Sequence, residues 1–136
     1  RRVLFRSYRQ KFPQKAVTFY AQNYPAMGWA VFMAGGSCPV IPCTDKAFLK
    51  DAAAMEVEET NTDEYKKMVK SDIGSIIYSK SGTEIPVQLS FGKYVLKYIH
   101  PASGKIETIN KSLKINGLYK LKVPDKKEGI YWFHKL

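Results

Sequence analysis

The hydrophobic pattern of the sequence changes its period between Met68 and Ile76. Before this point apolar residues recur at helical spacing, about every 3.6 residues, and after it they alternate with polar residues in short runs. Turn signals separate these runs every ~8–12 residues, which is typical of antiparallel sheets, so residues 72–136 predict a small antiparallel β-sandwich. Its strands are predicted at 74–79, 85–90, 93–100, 105–110, 114–115, 119–123 and 129–135.

The half that precedes the change reads as helix, buried strand, helix. Residues 15–34 have a helical pattern that Pro25 interrupts, and the piece after Pro25 is apolar almost all round. The run CPVIP at 38–42 is short, apolar and bounded by turn signals, as in a buried parallel strand. Such a unit is too short to bury its own apolar surface. We therefore expect an α+β fragment, in which residues 8–60 are a helix–strand–helix remnant of a (β/α) barrel and the small antiparallel β-sandwich follows.

The helix after the CPVIP run is predicted from its cap. Thr44 or Asp45 can accept the first backbone N–H groups of this helix, and Asp51 is expected on its exposed side. Residues 61–71 are predicted to be a linker that contains a short helix over 62–68. The apolar stripe behind the cap consists of Phe48, Leu49, Ala52 and Met55.

The first seven residues, RRVLFRS, show neither a helical nor a strand period. The string resembles a translated sequencing adapter, of the kind found at broken ends of assembled metagenomic sequences. Residues 1–7 are therefore interpreted as non-native, which would make the chain the C-terminal part of a longer protein, and the alternative is a genuine basic N-terminal segment. No apolar run reaches the roughly 18–20 residues that span a bilayer, so no membrane span is expected.

The net charge of +10 comes from 22 Lys and Arg against 12 Asp and Glu. Most lysines after residue 80 stand singly between apolar residues, an arrangement that solvates a strand face and protects a sheet edge. Nucleic-acid surfaces more often cluster arginine with aromatic residues, so no nucleic-acid partner is predicted. Cys38 and Cys43 have no further metal ligands close in sequence, so buried free thiols are expected, with no metal and no cofactor.

Two groups of motifs resemble a known class of proteins. WAVFMAGGSCPVIP followed by DKAFLKDAAAM is similar to the end of the catalytic barrel in glycoside-hydrolase-like proteins of polysaccharide-degrading Bacteroidetes. YSKSG, GKYVLKYIHPASGKI and GIYWFHKL, in that order, resemble the C-terminal β-sandwich of the same proteins, a type of domain that has also been labelled collagen-binding. The resemblance covers residues 15–136.

The resemblance implies the C-terminal part of a secreted, periplasmic or cell-surface protein that acts on a polysaccharide or glycan. The sandwich would be an accessory domain packed on the barrel, most of which would precede residue 8. Such enzymes use a pair of carboxylates, which would lie in that preceding part, so the chain alone is predicted to lack hydrolase activity. The alternative is a non-catalytic β-sandwich module that binds carbohydrate or protein.

Three residues are candidates for contact with a substrate. Thr44 and Asp45 lie in the loop after the predicted strand, which is the active side of a barrel, although Asp45 also reads as a helix cap. The ring of Trp132, in the aromatic run YWFH, can stack on a sugar or pack in the core. Alternation sends Trp132 and His134 to one side and their neighbours to the other, as in a central strand, and His134 is predicted to be a structural hydrogen bonder. No catalytic residue is assigned.

Overall fold

The structure, a computed structural model, describes residues 7, 10–15, 28–36, 40–43 and 45–136. Eight elements have described bounds, and no described helix is long and apolar enough to cross a membrane. The elements are α1 (Gly28–Met33), α2 (Lys46–Ala54), β1 (Glu56–Glu58), β2 (Tyr65–Lys70), β3 (Gly74–Ser79), β4 (Glu84–Ile99), β5 (Ile106–Lys122) and β6 (Gly129–Lys135).

The six strands form one antiparallel sheet in the order β1-β2-β3-β6-β4-β5. The predicted helix–strand–helix remnant of a (β/α) barrel is therefore wrong, because β1, directly after α2, pairs antiparallel with β2. Within the predicted strand at 38–42, residues 38 and 39 lie outside the described part, and Val40 to Pro42 have no strand pairing. Pro42 has no N–H to give to a ladder, and the Val40 side chain is 54% exposed. The fold is β-rich and sandwich-like.

The short helix predicted over 62–68 is also wrong. Tyr65–Lys70 is strand β2, which pairs with β1 on one side and with β3 on the other. Thr62 Oγ1 accepts the backbone N–H of Glu64, a turn closed by a hydroxyl and not a helix cap. Pairing on both edges overrides the weak local preference of this lysine-rich segment.

Strands β4 and β5 replace the five short strands predicted between residues 85 and 123. Phe91-Gly92 and Asn116-Gly117, which fall in gaps between the predicted strands, lie inside β4 and β5. The β4–β5 register shifts between Leu89 and Gly92. β4 pairs with β5 along most of its length but with β6 only from Tyr94 onward. The first half of the hairpin therefore bends away at the bulge and covers one face of the sheet.

The bend gives the sheet two cores. One face packs against α1 and α2, and the other packs against the bent half of the hairpin. β6 lies between β3 and β4 and contributes to both, so the prediction of a central strand with aromatic residues on both faces is confirmed. Its residues Ile130 and Trp132 enter the helix-side core, and Tyr131 and Phe133 enter the hairpin-side core.

Helix α2 follows its predicted pattern in most respects. Asp45 is the N-cap, and its Oδ1 accepts the backbone N–H of Phe48 at 2.8 Å. Phe48, Ala52 and Met55 are buried as predicted, whereas Leu49 is exposed. The Phe48 ring lies between the rings of Phe32, Trp29 and Trp132, with centroids 5.4–6.2 Å away.

Replacing Phe48 by alanine should therefore separate the helices from the sheet. We expect Phe48→Ala to lower the free energy of unfolding by about 3–5 kcal/mol, as large-to-small changes in aromatic cores do. Leu49→Ala is the matched control on the next residue and should change it by no more than roughly 0.5–1 kcal/mol. Urea denaturation followed by circular dichroism measures both, and equal losses would contradict this packing.

Candidate functional site

Trp132 is fully buried where β6 passes under α2. Its ring meets Phe48 edge to face at a centroid distance of 5.4 Å, and its Nε1–H donates to Asp51 Oδ2 at 2.9 Å. Lys97 Nζ lies 4.9 Å from the ring centroid. The indole therefore has no face open for a sugar, and its position is explained by packing.

Asp51 is the polar centre of this contact. It is only 6% exposed, and its Oδ2 accepts a second hydrogen bond from His134 Nδ1 at 2.6 Å. A buried carboxylate is costly unless such donors replace water. The expectation that Asp51 lies on the exposed side of its helix is wrong. Its position three residues after Phe48 and four before Met55, on the apolar stripe, was the signal that sequence reasoning missed.

His134 is the second donor, and its predicted role as a structural hydrogen bonder is confirmed. A carboxylate accepts, so Nδ1 is the donor of this pair, and the bond holds the ring in one orientation. The side chain is 34% exposed. We call Phe48, Asp51, Trp132 and His134 the helix–sheet seam. One end of the seam is sealed by the aromatic core, and the His134 end reaches solvent.

A basic surface continues the sheet beyond the exposed end of the seam. Lys97 stands opposite Trp132 in the β4–β6 ladder, and His134 stands opposite Val95. Since side chains on a strand alternate, Lys93 projects from the same face as Lys97, and Lys114 is directly opposite Lys93 on β5. We call Lys93, Lys97, Lys114 and His134 the basic face.

The lysines of the basic face lack acidic partners. All 12 acidic residues of the sequence lie in the described part of the chain. The ion pairs observed among described residues hold other lysines, and none involves Lys93, Lys97 or Lys114. Like charges placed directly opposite on a sheet, as Lys93 and Lys114 are, destabilise it slightly.

A second polar cluster, near the end of β4, is internally neutralised. Glu107 lies 3.2 Å from His100 and 3.7 Å from the Lys127 ammonium, and the hydrogen bond with His100 holds the pKa of that carboxyl below its ordinary value. Lys127 also lies over the Tyr98 ring. Burial raises the pKa of Tyr131 to about 12, and its hydroxyl donates to the Lys127 carbonyl. These contacts fasten the loop before β6.

An apolar groove of about 660 Å³ opens where the helices meet β1 and β2. Among the described lining residues Glu56 carries the only carboxylate, whereas a glycosidase uses two across one substrate site. In the ranges that the structure describes, no group of three His, Cys, Asp or Glu side chains could hold a metal ion. The lining is mainly apolar and includes Phe32, Ile41, Ala52, Met55 and Met68.

Of the other predicted site residues, Asp45 meets the seam at the backbone of Phe48. Thr44 falls outside the described residues, and Asp45 serves as the cap of α2. Asp45 and Trp132 both touch Phe48, one through its backbone N–H and the other through its ring, but no hydrogen bond joins them. Cys43 is a buried free thiol, as predicted, and burial raises its pKa, while Cys38 lies outside the described residues.

Comparisons with known families and with solved structures give the following similarities. A family model described as a domain of unknown function (DUF6298) matches residues 3–55. A solved structure titled "Glycoside hydrolase" is similar with a TM-score of 0.43 and 16% sequence identity, over 58% of this chain and 19% of that chain. This chain therefore spans about a fifth of the length of that protein. No curated protein matches the sequence.

Removing the Asp51 carboxylate should leave the buried Trp132 N–H without an acceptor. We expect Asp51→Ala to lower the free energy of unfolding by about 2–4 kcal/mol, the range for losing buried hydrogen bonds to a charged group. The Trp132 indole proton should also lose its protection from hydrogen exchange, measured by NMR. Asp63→Ala, which removes an exposed carboxylate paired with Lys66, is the control and should leave both quantities nearly unchanged.

Proposed function

We propose that this chain is a non-catalytic accessory unit of a larger carbohydrate-active protein that works outside the cytoplasm. In this proposal the function of the sheet is to hold the helical segment at residues 28–55 in a fixed position. The observation that carries the proposal is the helix–sheet seam, in which Trp132 and His134 of β6 are both committed to Asp51 of α2. A sheet face occupied in this way holds its own chain together and has no room for a substrate.

The motif order in the sequence supports the carbohydrate part of the proposal. The GKYVLKYIHPASGKI stretch forms the second half of β4 and the turn that follows it, and GIYWFHKL forms β6 and the last residue. These stretches carried the resemblance to the accessory sandwich of glycoside-hydrolase-like proteins. They are also the segments that form the centre of the sheet.

The distribution of carboxylates supports the non-catalytic part. Glycoside hydrolysis uses an acid and a nucleophile or base that flank one bond, with carboxyl groups about 5–10 Å apart. Asp51 is buried under two hydrogen bonds, Asp45 caps α2, and Glu58, Glu84 and Glu107 are paired with basic side chains. Glu56 stands alone on the groove wall among the described lining residues.

A second candidate function is favoured by the basic face. Three lysines without acidic partners, beside a histidine held in one orientation, form a surface suited to a ligand and not to packing. Under this alternative the chain is a carbohydrate-binding module whose ligand lies on the sheet beyond the seam. The two functions are compatible, because Lys93 and Lys114 lie outside the seam, while Lys97 and His134 stand at its border through the Trp132 ring and the Asp51 carboxylate.

We expect the chain to release no product from neutral polysaccharides, acidic polysaccharides or aryl glycosides. A reducing-end assay and a chromogenic assay measure this release. The physical reason is the lack of a second carboxylate opposite Glu56. Glu56→Gln is the matched control that excludes contaminating hydrolases. Turnover by the wild-type chain that Glu56→Gln abolishes would overturn the non-catalytic proposal.

The proposed role of the sheet in holding the helical segment can be measured separately. Proteolytic cleavage in the exposed loop at residues 59–64 should leave two pieces that still elute together in gel filtration, because the β1–β2 pairing and the seam hold them. The Phe48→Ala variant, cleaved in the same way, should yield separate pieces. Separation of the wild-type pieces under native conditions would contradict the proposal that the sheet holds the helical segment.

A further inference from the structure

We propose that the basic face, formed by Lys93, Lys97, Lys114 and His134, binds an acidic polysaccharide through the carboxylates of its uronic acid units. This inference deepens the proposed function and rests on it for the carbohydrate nature of the ligand. The charge, the placement on the sheet and the fixed geometry of these four side chains each support it.

The position of the lysines within the sheet is the first argument. A lysine on an edge strand is explained by protection against unwanted strand pairing, and this covers Lys114 on β5. Lys97 is on the part of β4 that pairs with both β6 and β5, whereas Lys93 lies one residue before the β4–β6 ladder, which begins at Tyr94. Edge protection therefore does not account for Lys97, and the direct opposition of two like charges, Lys93 and Lys114, is unfavourable in a sheet.

The lack of acidic partners for the lysines of the basic face is the second argument. Lys67 is paired with Glu58, Lys120 with Glu84 and Lys127 with Glu107, so some lysines elsewhere on the molecule have an acidic partner. On the basic face the directly opposed Lys93 and Lys114 have no such partner among the described residues. A carboxylate placed between the two ammonium groups would remove their repulsion and gain attraction from both.

Two members of the face are already held in place. Lys97 is fixed over the Trp132 ring at 4.9 Å by a cation–π contact, and His134 is fixed by the hydrogen bond from its Nδ1 to Asp51. Side chains that are ordered before the ligand arrives lose less entropy on binding. Lys97 and Lys93 lie four residues apart on β4, or about 13 Å, which suits a ligand with charges repeated along a chain.

The composition of the face favours uronates over nucleic acid. The described part of the chain contains no arginine, so the described cations of the face are lysines and a histidine. Phosphate recognition tends to use the planar fork of arginine, and single-stranded nucleic acid also needs exposed aromatic rings for the bases. Trp132, the ring beneath Lys97, is fully buried, and Phe91, two residues before Lys93 on β4, offers a single exposed ring. Single carboxylates are matched by compact ammonium charges.

Affinity electrophoresis and calorimetry with polygalacturonate test the inference on the full chain, with neutral galactan and duplex DNA as comparison ligands. We expect binding to polygalacturonate that weakens as salt is raised. The double variant Lys93→Gln/Lys114→Gln should weaken it about tenfold, since two exposed charge contacts are together worth about 1–1.5 kcal/mol. The matched variant Lys120→Gln/Lys122→Gln removes the same charge from the other half of β5 and should change the affinity less than about twofold.

The outcomes separate this inference from the function on which it rests. Binding to neutral galactan without binding to polygalacturonate would overturn the inference and leave the carbohydrate function standing, and absence of binding to any polysaccharide would overturn the inference. Equal losses in the two double variants, or binding to duplex DNA as tight as to polygalacturonate, would assign the effect to net charge and also overturn it. Sugar release by the chain would instead contradict the non-catalytic function.

Discussion

The carboxylate of Asp51 is the group on which the arrangement of the two halves depends. It is buried, and burial of an ionised group is tolerated only where donors replace the lost water. The two donors, Trp132 and His134, are two residues apart on β6 and therefore project from the same face of the strand. Any rotation of α2, or any one-residue slip of β6, would leave the charge unpaired. The seam therefore specifies one register between helix and sheet as well as holding them together.

Once α2 is fixed, neighbouring contacts follow from it. Phe48 stands one turn before Asp51 and is carried into the space between Trp29, Phe32 and Trp132. The indole N–H of Trp29 then reaches the carbonyl of Pro101, in the turn between β4 and β5. Gly104 closes that turn at positive φ, and a Cβ there would lie 2.4 Å from the Pro42 carbonyl oxygen. The helical segment is thus attached to the sheet at its centre and at the tip of the long hairpin.

Residues with strong local signals gave correct predictions, and residues whose role is set by distant partners did not. The strands at 74–79 and 129–135 and the Asp45 cap were predicted correctly, because alternation and capping are local. Asn116-Gly117 falls in the gap between the predicted strands at 114–115 and 119–123, yet Gly117, at φ 88°, lies within β5. A glycine at positive φ serves a turn or a bulge equally, and the partner strand decides between them.

The barrel interpretation failed because an apolar segment does not specify what covers it. The helix around Trp29 was read as part of a parallel α/β layer, whereas the outer face of an antiparallel sheet covers it. Part of the helix–sheet seam can be predicted from the sequence. The facing of Trp132 and His134 followed from alternation, but their acceptor, Asp51, is 81 and 83 residues away and could be recognised only in three dimensions.

The helices cover one part of this sheet face and leave another part uncovered. This division also determines where charged side chains lie on the sheet. Helices α1 and α2 cover the rows of Ile76, Ile130 and Trp132, and the rows beyond His134 must be solvated by polar side chains. Lysines accomplish this with long apolar stems, and at the border, in the row of Trp132, the ammonium of Lys97 lies over the indole ring. Solvation alone would be served equally by lysine and glutamate in alternation, which would also neutralise the face. The proposed anionic ligand would supply the opposite charge that Lys93, Lys97 and Lys114 lack among the described residues.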